Sequence, residues 1–204
     1  MTWLLTNTGR QHYLTGPQAS AASNVPGITE IAHSLAQINR YTGHCKRPYS
    51  VAEHSLLCAH YAQATNMTPL VQLAVLMHDA HECITGDVAS PIKQVLGHTW
   101  KLFEDAQQEH LLRHYSLLDA SREHHDLIRH CDLVALATER RDLMAFDAAK
   151  HDPWPVIDTP GHEVLPWNKV DLNSTNRMNT FRGLHTKFSE KFNELWSEVA
   201  TAKQ

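Results

Sequence analysis

Leu76-Met77-His78-Asp79-Ala80-His81-Glu82-Cys83 closes an apolar run that begins at Thr68-Pro69 and continues through Leu70, Val71, Leu73, Ala74 and Val75. The run reads as a buried helix over about residues 69–83, with Thr68 as its cap and Pro69 at its first position. A histidine beside an aspartate at the end of such a helix enters protein interior, where a carboxylate is costly unless it is paired or binds a metal. Glu82 follows Asp79 by three residues and His78 by four, so the three share one helical face. This set suits a metal centre with a spare acid or base. It also suits a surface face whose polar groups find partners, and the stretch alone does not separate the two.

The neighbouring segments supply further candidates. Ser50-Val51-Ala52-Glu53 has the form of a capping box and opens a helix to about Ala64. His54 lies on its apolar face with Val51, Leu57, Cys58 and Tyr61. Upstream, Ile28, Ile31, Ala32, Leu35 and Ile38 mark a helix from about Thr29 to Arg40, followed by a cationic loop with Tyr41, Lys46 and Arg47. Downstream, Gly86 ends the central helix and Asp87 follows in a loop closed by Pro91. A short helix from about Ile92 breaks near Gly97, and another runs from Trp100 to about Leu118. Ser121 reads as the cap of a long helix to about Phe146, with Asp132 among Leu127, Ile128, Cys131, Ala135 and Leu136. Three helices thus each deliver a buried polar group: His54, His78 with Asp79, and Asp132. Two His and two Asp form a mixed nitrogen and oxygen set suited to Mn²⁺, Fe²⁺, Co²⁺, Ni²⁺ or Zn²⁺.

The ends of the chain add little chemistry. Residues 2–14 read as a β-hairpin turning at Asn7-Thr8-Gly9, and residues 15–27 have loop composition. Residues 147–177 carry Pro153, Pro155, Pro160 and Pro166 with Trp154 and Trp167, the pattern of a long ordered loop. A last helix spans about residues 178–199. The expectation is one all-α domain over residues 1–204, with its core at about 28–147.

Bulk composition narrows the function classes. With 42% hydrophobic residues and a net charge of −4, the chain has the composition of a globular protein and no basic stripe for nucleic acid. No apolar run is long enough to span a bilayer and no signal peptide is visible, so a cytoplasmic location is expected. The four cysteines form no CxxC pair, which favours reduced thiols. The sequence identifies no interface patch, although helical proteins of this size commonly form homo-oligomers.

The order His54 … His78-Asp79 … Asp132 resembles the signature of the HD-domain superfamily of metal-dependent phosphohydrolases. Ser50-Val51-Ala52-Glu53-His54-Ser55 is similar to the Ser-x-x-Glu-His-Ser segment of its nucleotidase branch. Ile38-Asn39-Arg40 is similar to that branch's Asn-Arg pair, and His78-Asp79-Ala80-x-Glu82 with Gly86-Asp87 to its His-Asp-x-x-Glu … Gly-Asp run. The resemblance implies an HD-type helical bundle holding one divalent ion on His54, His78, Asp79 and Asp132. It implies that Glu82 and Asp87 orient or activate water and that Arg40 holds a substrate phosphate. Tyr41, Lys46 and Arg47 are further substrate-binding candidates from the same loop. His110 and His114 have the spacing of a second metal pair, but their charged neighbours read as a solvent face. The implied activity is that of a 5′-deoxynucleotidase, with deoxynucleoside triphosphate triphosphohydrolase as the alternative and a non-catalytic nucleotide sensor as a third reading.

Overall fold

The computed structural model describes residues 2–173 and 181–202. It has a two-stranded antiparallel hairpin, β1 (Trp3–Leu5) and β2 (Gln11–Tyr13), and ten α-helical segments among the described residues. These are α1 (Ile28–Leu35), α2 (Val51–Ala64), α3 (Pro69–Leu76), α4 (Glu82–Thr85), α5 (Ser90–Leu96), α6 (His98–His114), α7 (Leu118–Glu123), α8 (His125–Leu143), α9 (Pro155–Asp158) and α10 (Phe181–Ala202). The fold is all-α with a small hairpin, as expected. No helix is long and apolar enough to cross a membrane among the described residues.

The helices α2 and α3 pack against each other at the centre, with an apolar cluster on either side. One cluster joins Ile31 and Leu35 of α1, Leu73 and Leu76 of α3, and Phe188 and Leu195 of α10. The other joins Leu57 and Cys58 of α2, Val71 and Val75 of α3, and Cys131, Ala135 and Leu143 of α8. Because α2 and α3 serve both clusters, their side chains are buried nearly all round, and α3 is apolar except for Gln72, which donates to the Met67 carbonyl. Side-chain caps start both helices: Ser50 accepts from the Glu53 amide and Thr68 from the Val71 amide. The Glu53 carboxylate does not return to Ser50; Arg47 takes it instead.

Several boundaries depart from expectation, each for a local reason. The first helix ends at Leu35, because the Val51 amide bonds the Ile38 carbonyl and the Arg40 amide bonds the Tyr49 carbonyl, which makes an Asn39–Ser50 bridge. Arg40 is therefore drawn toward α2 rather than left on a helix. The central helix stops at Leu76, not Cys83. From Met77 the chain takes tighter turns, with the Ala80 amide on the Met77 carbonyl and the Glu82 amide on the Asp79 carbonyl, before α4 begins. Ser121 lies inside α7 and caps nothing; a kink at His124 separates α7 from α8, which ends at Leu143 instead of Phe146. The helix expected over Trp100–Leu118 runs from His98 to His114. Residues 178–180, expected to open the last helix, lie outside the described residues.

The proline- and tryptophan-bearing segment after α8 is tied along that helix. Arg140 grips Asp158, Thr138 Oγ1 accepts from the Trp167 amide at 2.8 Å, and Asp142 accepts from the Leu172 amide at 2.9 Å.

The hairpin is clipped to α1 through Glu30. Its carboxylate accepts from Thr8 Oγ1, Arg10 Nη2 and the Gly27 amide, which starts the helix. Burial alone would raise the Glu30 pKa, but these hydrogen bonds bring it down to about 2 from an ordinary 4.5. The resulting stabilisation is complete above pH 4.5 and is lost as pH falls toward 2. Replacing Glu30 with Ala is expected to lower the thermal midpoint at pH 7 by roughly 3–8 °C. The gap from wild type should narrow in acid, read by circular dichroism melts; an equal gap at pH 7 and pH 3 would contradict this.

Candidate metal centre

The four ligands expected from the sequence converge where α2, the end of α3 and α8 meet. His54 Nε2 lies 3.3 Å from His78 Nε2, 3.5 Å from Asp79 Oδ2 and 3.3 Å from Asp132 Oδ1. His78 Nε2 lies 3.2 Å from Asp79 Oδ2 and 4.0 Å from Asp132 Oδ1. Nitrogen and oxygen donors about 2.0–2.2 Å from one ion sit about 3–4.2 Å apart, from adjacent to opposite positions. The five observed separations fall in that range.

The protons on the imidazoles are placed by what the other ring nitrogen touches. His78 Nδ1 is 2.7 Å from the Val75 carbonyl, which can only accept, so Nδ1 donates and Nε2 keeps its lone pair. His54 Nδ1 is 2.6 Å from Glu139 Oε1, the carboxylate–imidazole arrangement that commonly stands behind a ligating histidine. Two lone pairs facing each other at 3.3 Å require positive charge between or beside them. Burial disfavours charge on both rings, and Arg40 opposes it on His54, yet Cys58, Glu139 and Asp132 raise the pKa of His54, and Asp79 and Asp132 that of His78, above the usual imidazole value. The cluster attracts cations, and its donor set fits a divalent transition metal.

The break after Leu76 is what aims the His-Asp pair. The His78 ring takes the Val75 carbonyl that a continuing helix would give to a later amide, and the chain swings Asp79 toward His54.

Glu139 is the residue that sequence reading missed. It is fully buried and faces His54, Tyr41 Oη at 2.5 Å, Tyr49 Oη at 3.0 Å and Arg40 Nε at 3.4 Å. Burial would raise its pKa; Arg40 and His54, with hydrogen bonds from His54 and Tyr41, bring it down to about 2. The signal was present in the spacing, since Glu139 lies two turns beyond Asp132 on α8.

Arg40 sits between Glu139 and Asp79, with its Nη1 3.5 Å from Asp79 Oδ2. Its Nε is buried against Glu139 Oε2 at 3.4 Å, an ion-pair contact without hydrogen-bond geometry. Tyr41 and Thr42, which follow, have φ of 55° and 53°, a left-handed conformation that non-glycine residues rarely adopt and that tends to occur at functional sites. The bond from Tyr41 to Glu139 holds that turn.

Glu82 is almost fully buried and its Oε2 has no hydrogen-bond partner among the described residues. Burial, Asp79 and Asp87 together push its pKa well above the carboxylate range. Asp87 is half-buried, and burial with the nearby Asp79 charge raises its pKa despite Arg40. Lys46 and Arg47 are not brought to the cluster. Lys46 Nζ donates to the Asp142 carbonyl at 2.9 Å, and Arg47 forks onto Glu53 while reaching the Leu172 carbonyl. Exposed are His98, His114, His125 and His130.

A cleft of about 520 Å³ opens beside His78, Asp79 and Asp132. Leu112, Leu118 and Ile128 give it an apolar part, and Gln108, Arg122 and Arg129 a polar one. The size is ordinary for a small-molecule site.

Glu139→Gln is expected to weaken divalent-metal binding by about 10–100-fold, because it removes the negative charge that orients His54 and raises its basicity. Isothermal titration with Mn²⁺ or Co²⁺ measures this; an unchanged dissociation constant would show that Glu139 does not support the ligand.

Comparison with known families matches residues 32–132 to the HD domain, a span that holds all four ligands, Arg40, Glu82 and Asp87 and ends before Glu139. The chain is 31% identical over 172 residues to the uncharacterized protein YfdR of Escherichia coli (strain K12), covering 82% of this chain and 83% of that one. It is 38% identical over 82 residues to an uncharacterized protein of Rhodobacter capsulatus, covering 38% of this chain and 42% of that one.

Proposed function

This chain belongs to the HD-domain family of metal-dependent phosphohydrolases, and on that premise we propose that it hydrolyses small deoxynucleotides as a 5′-deoxynucleotidase. The observation that carries the reading is the convergence of His54, His78, Asp79 and Asp132, the last three on the wall of a cleft of about 520 Å³, with Arg40 against Asp79 and Glu82 near enough to feel the Asp79 charge. When bound, a divalent ion there supplies Lewis acidity toward a phosphoryl oxygen and makes a water more acidic.

The remaining work falls to side chains of this chain. Arg40, the guanidinium that lies against Asp79, grips the non-reacting phosphate oxygens. Glu82 takes a proton from the attacking water; burial makes it a stronger base than an exposed carboxylate. As the water oxygen bonds to phosphorus, the bond from phosphorus to the 5′ oxygen breaks. Asp87, which binds its proton more tightly than a free aspartate, donates to that leaving oxygen. The products are a deoxynucleoside and orthophosphate. The apolar part of the cleft, at Leu112, Leu118 and Ile128, receives the nucleoside.

The pairing of Lys46 and Arg47 with protein groups bears on the triphosphate alternative, since a longer phosphate chain would call on further cations from that loop. With both engaged, Arg40 is the cation of that loop left to meet phosphate, which favours a monophosphate. The buried Glu82 carboxylate, which a sensor does not need, favours catalysis.

Metal-loaded protein offered dAMP is expected to release deoxyadenosine and orthophosphate and to leave dATP intact, as followed by chromatography and phosphate assay. Tripolyphosphate from dATP would move the assignment to a triphosphohydrolase, and inactivity across all bases would remove it. Glu82→Gln should lower kcat by about 10²–10⁴-fold with metal content unchanged. Because Glu82 must be deprotonated to act and its pKa is raised, activity of the wild type should climb with pH well above the range where free carboxylates ionise. A rate already at its plateau at pH 5 would exclude Glu82 as the base.

A further inference from the structure

Cys58 lies one helical turn beyond His54 on α2, fully buried and outside any disulfide. Its Sγ is 3.5 Å from His54 Nε2, the nitrogen that faces the ligand cluster, and 4.0 Å from Nδ1. The sulfur and one nitrogen each of His54 and His78 all lie within 4.8 Å of one another. A nitrogen about 2.0–2.1 Å and a sulfur about 2.3 Å from one ion are separated by about 3.1–3.6 Å at angles from square to tetrahedral. The observed 3.5 Å fits. Independently of the cysteine, the Nε2 nitrogens of His54 and His78, 3.3 Å apart, are left to bind an ion, because both Nδ1 protons are committed elsewhere.

We propose that Cys58 is a further protein donor to the metal, a thiolate that joins His54 and His78 and biases the centre toward thiophilic divalent ions such as Zn²⁺, Co²⁺ and Cd²⁺ over Mg²⁺ and Mn²⁺. The inference rests on the metal-dependent reading above and adds a ligand to it. As the ion binds, the S–H bond breaks, a sulfur–metal bond forms and the proton passes to solvent; no electrons change hands. Its place on the apolar face of α2 makes Cys58 look like a small hydrophobic residue in the sequence.

The test is a Co²⁺ titration of metal-free protein, read by near-ultraviolet and visible absorption with bound cobalt counted by equilibrium dialysis. The expected result is a thiolate-to-cobalt charge-transfer band that grows with bound cobalt in wild type and in Cys45→Ser and Cys83→Ser. Cys58→Ser should still bind cobalt and lose the band. Cobalt bound by wild type without the band, or a band that survives in Cys58→Ser, would overturn the proposal and leave the hydrolase reading standing. A wild type that binds no cobalt, zinc or manganese would overturn both. Should Cys58→Ser not fold, X-ray absorption of zinc-loaded wild type decides the matter: a sulfur neighbour about 2.3 Å from zinc supports it, and a shell of nitrogen and oxygen only overturns it.

Discussion

The contact between His54 and Glu139 is a buried imidazole held by a buried carboxylate, and it locks α2 to α8 at the point where the ligands meet. Neither group tolerates the interior alone, since an unpaired charge there costs several kcal/mol. Together they form the centre of a network in which Glu139 also receives Tyr41 and Tyr49 and faces Arg40. The charges of this network balance one another, with Arg40 Nε 3.4 Å from Glu139 Oε2. The strained turn at Tyr41 and Thr42 persists because this network over-determines it.

The surplus of acids explains why the same region suits a cation. Asp79, Asp132 and Glu139 press around two histidines, with Glu82 and Asp87 close behind, and the charge of Arg40, paired with Asp79 and Glu139, opposes them. A divalent ion supplies what the protein lacks. The apolar clusters on either side of α2 and α3 hold these polar groups in place without joining the chemistry. The end of α3 is where the two requirements meet: an apolar helix delivers His78 and Asp79, then breaks so that both point at His54.

Much of this was legible along the chain. The caps at Ser50 and Thr68, the apolar run of α3 and the His54, His78-Asp79 and Asp132 series depend on neighbours a few residues away, and periodicity reports them directly. The hairpin and the all-helical remainder followed from turn chemistry and spacing. Boundaries were less legible at Leu35 and Leu76, because each helix ends where a bond outside the helical ladder competes for its last groups: the Ile38 carbonyl goes to Val51, and the Val75 carbonyl goes to the His78 ring.

What only the tertiary structure decided is which charges are free. The sequence offers Arg40 as the phosphate holder with Lys46 and Arg47 as further candidates, and Arg47 is taken by Glu53 and by a carbonyl 125 residues away, and Lys46 by the end of α8. Arg40 alone reaches the ligands. Glu139 and Cys58 gained their surroundings in the same way, by the approach of α8 and α3 to α2. Sequence determined the residue types and their helical faces, because these follow from local backbone geometry. The pairing of polar groups was decided by packing, because electrostatic partners in a buried site are set by distance in space and not by separation along the chain.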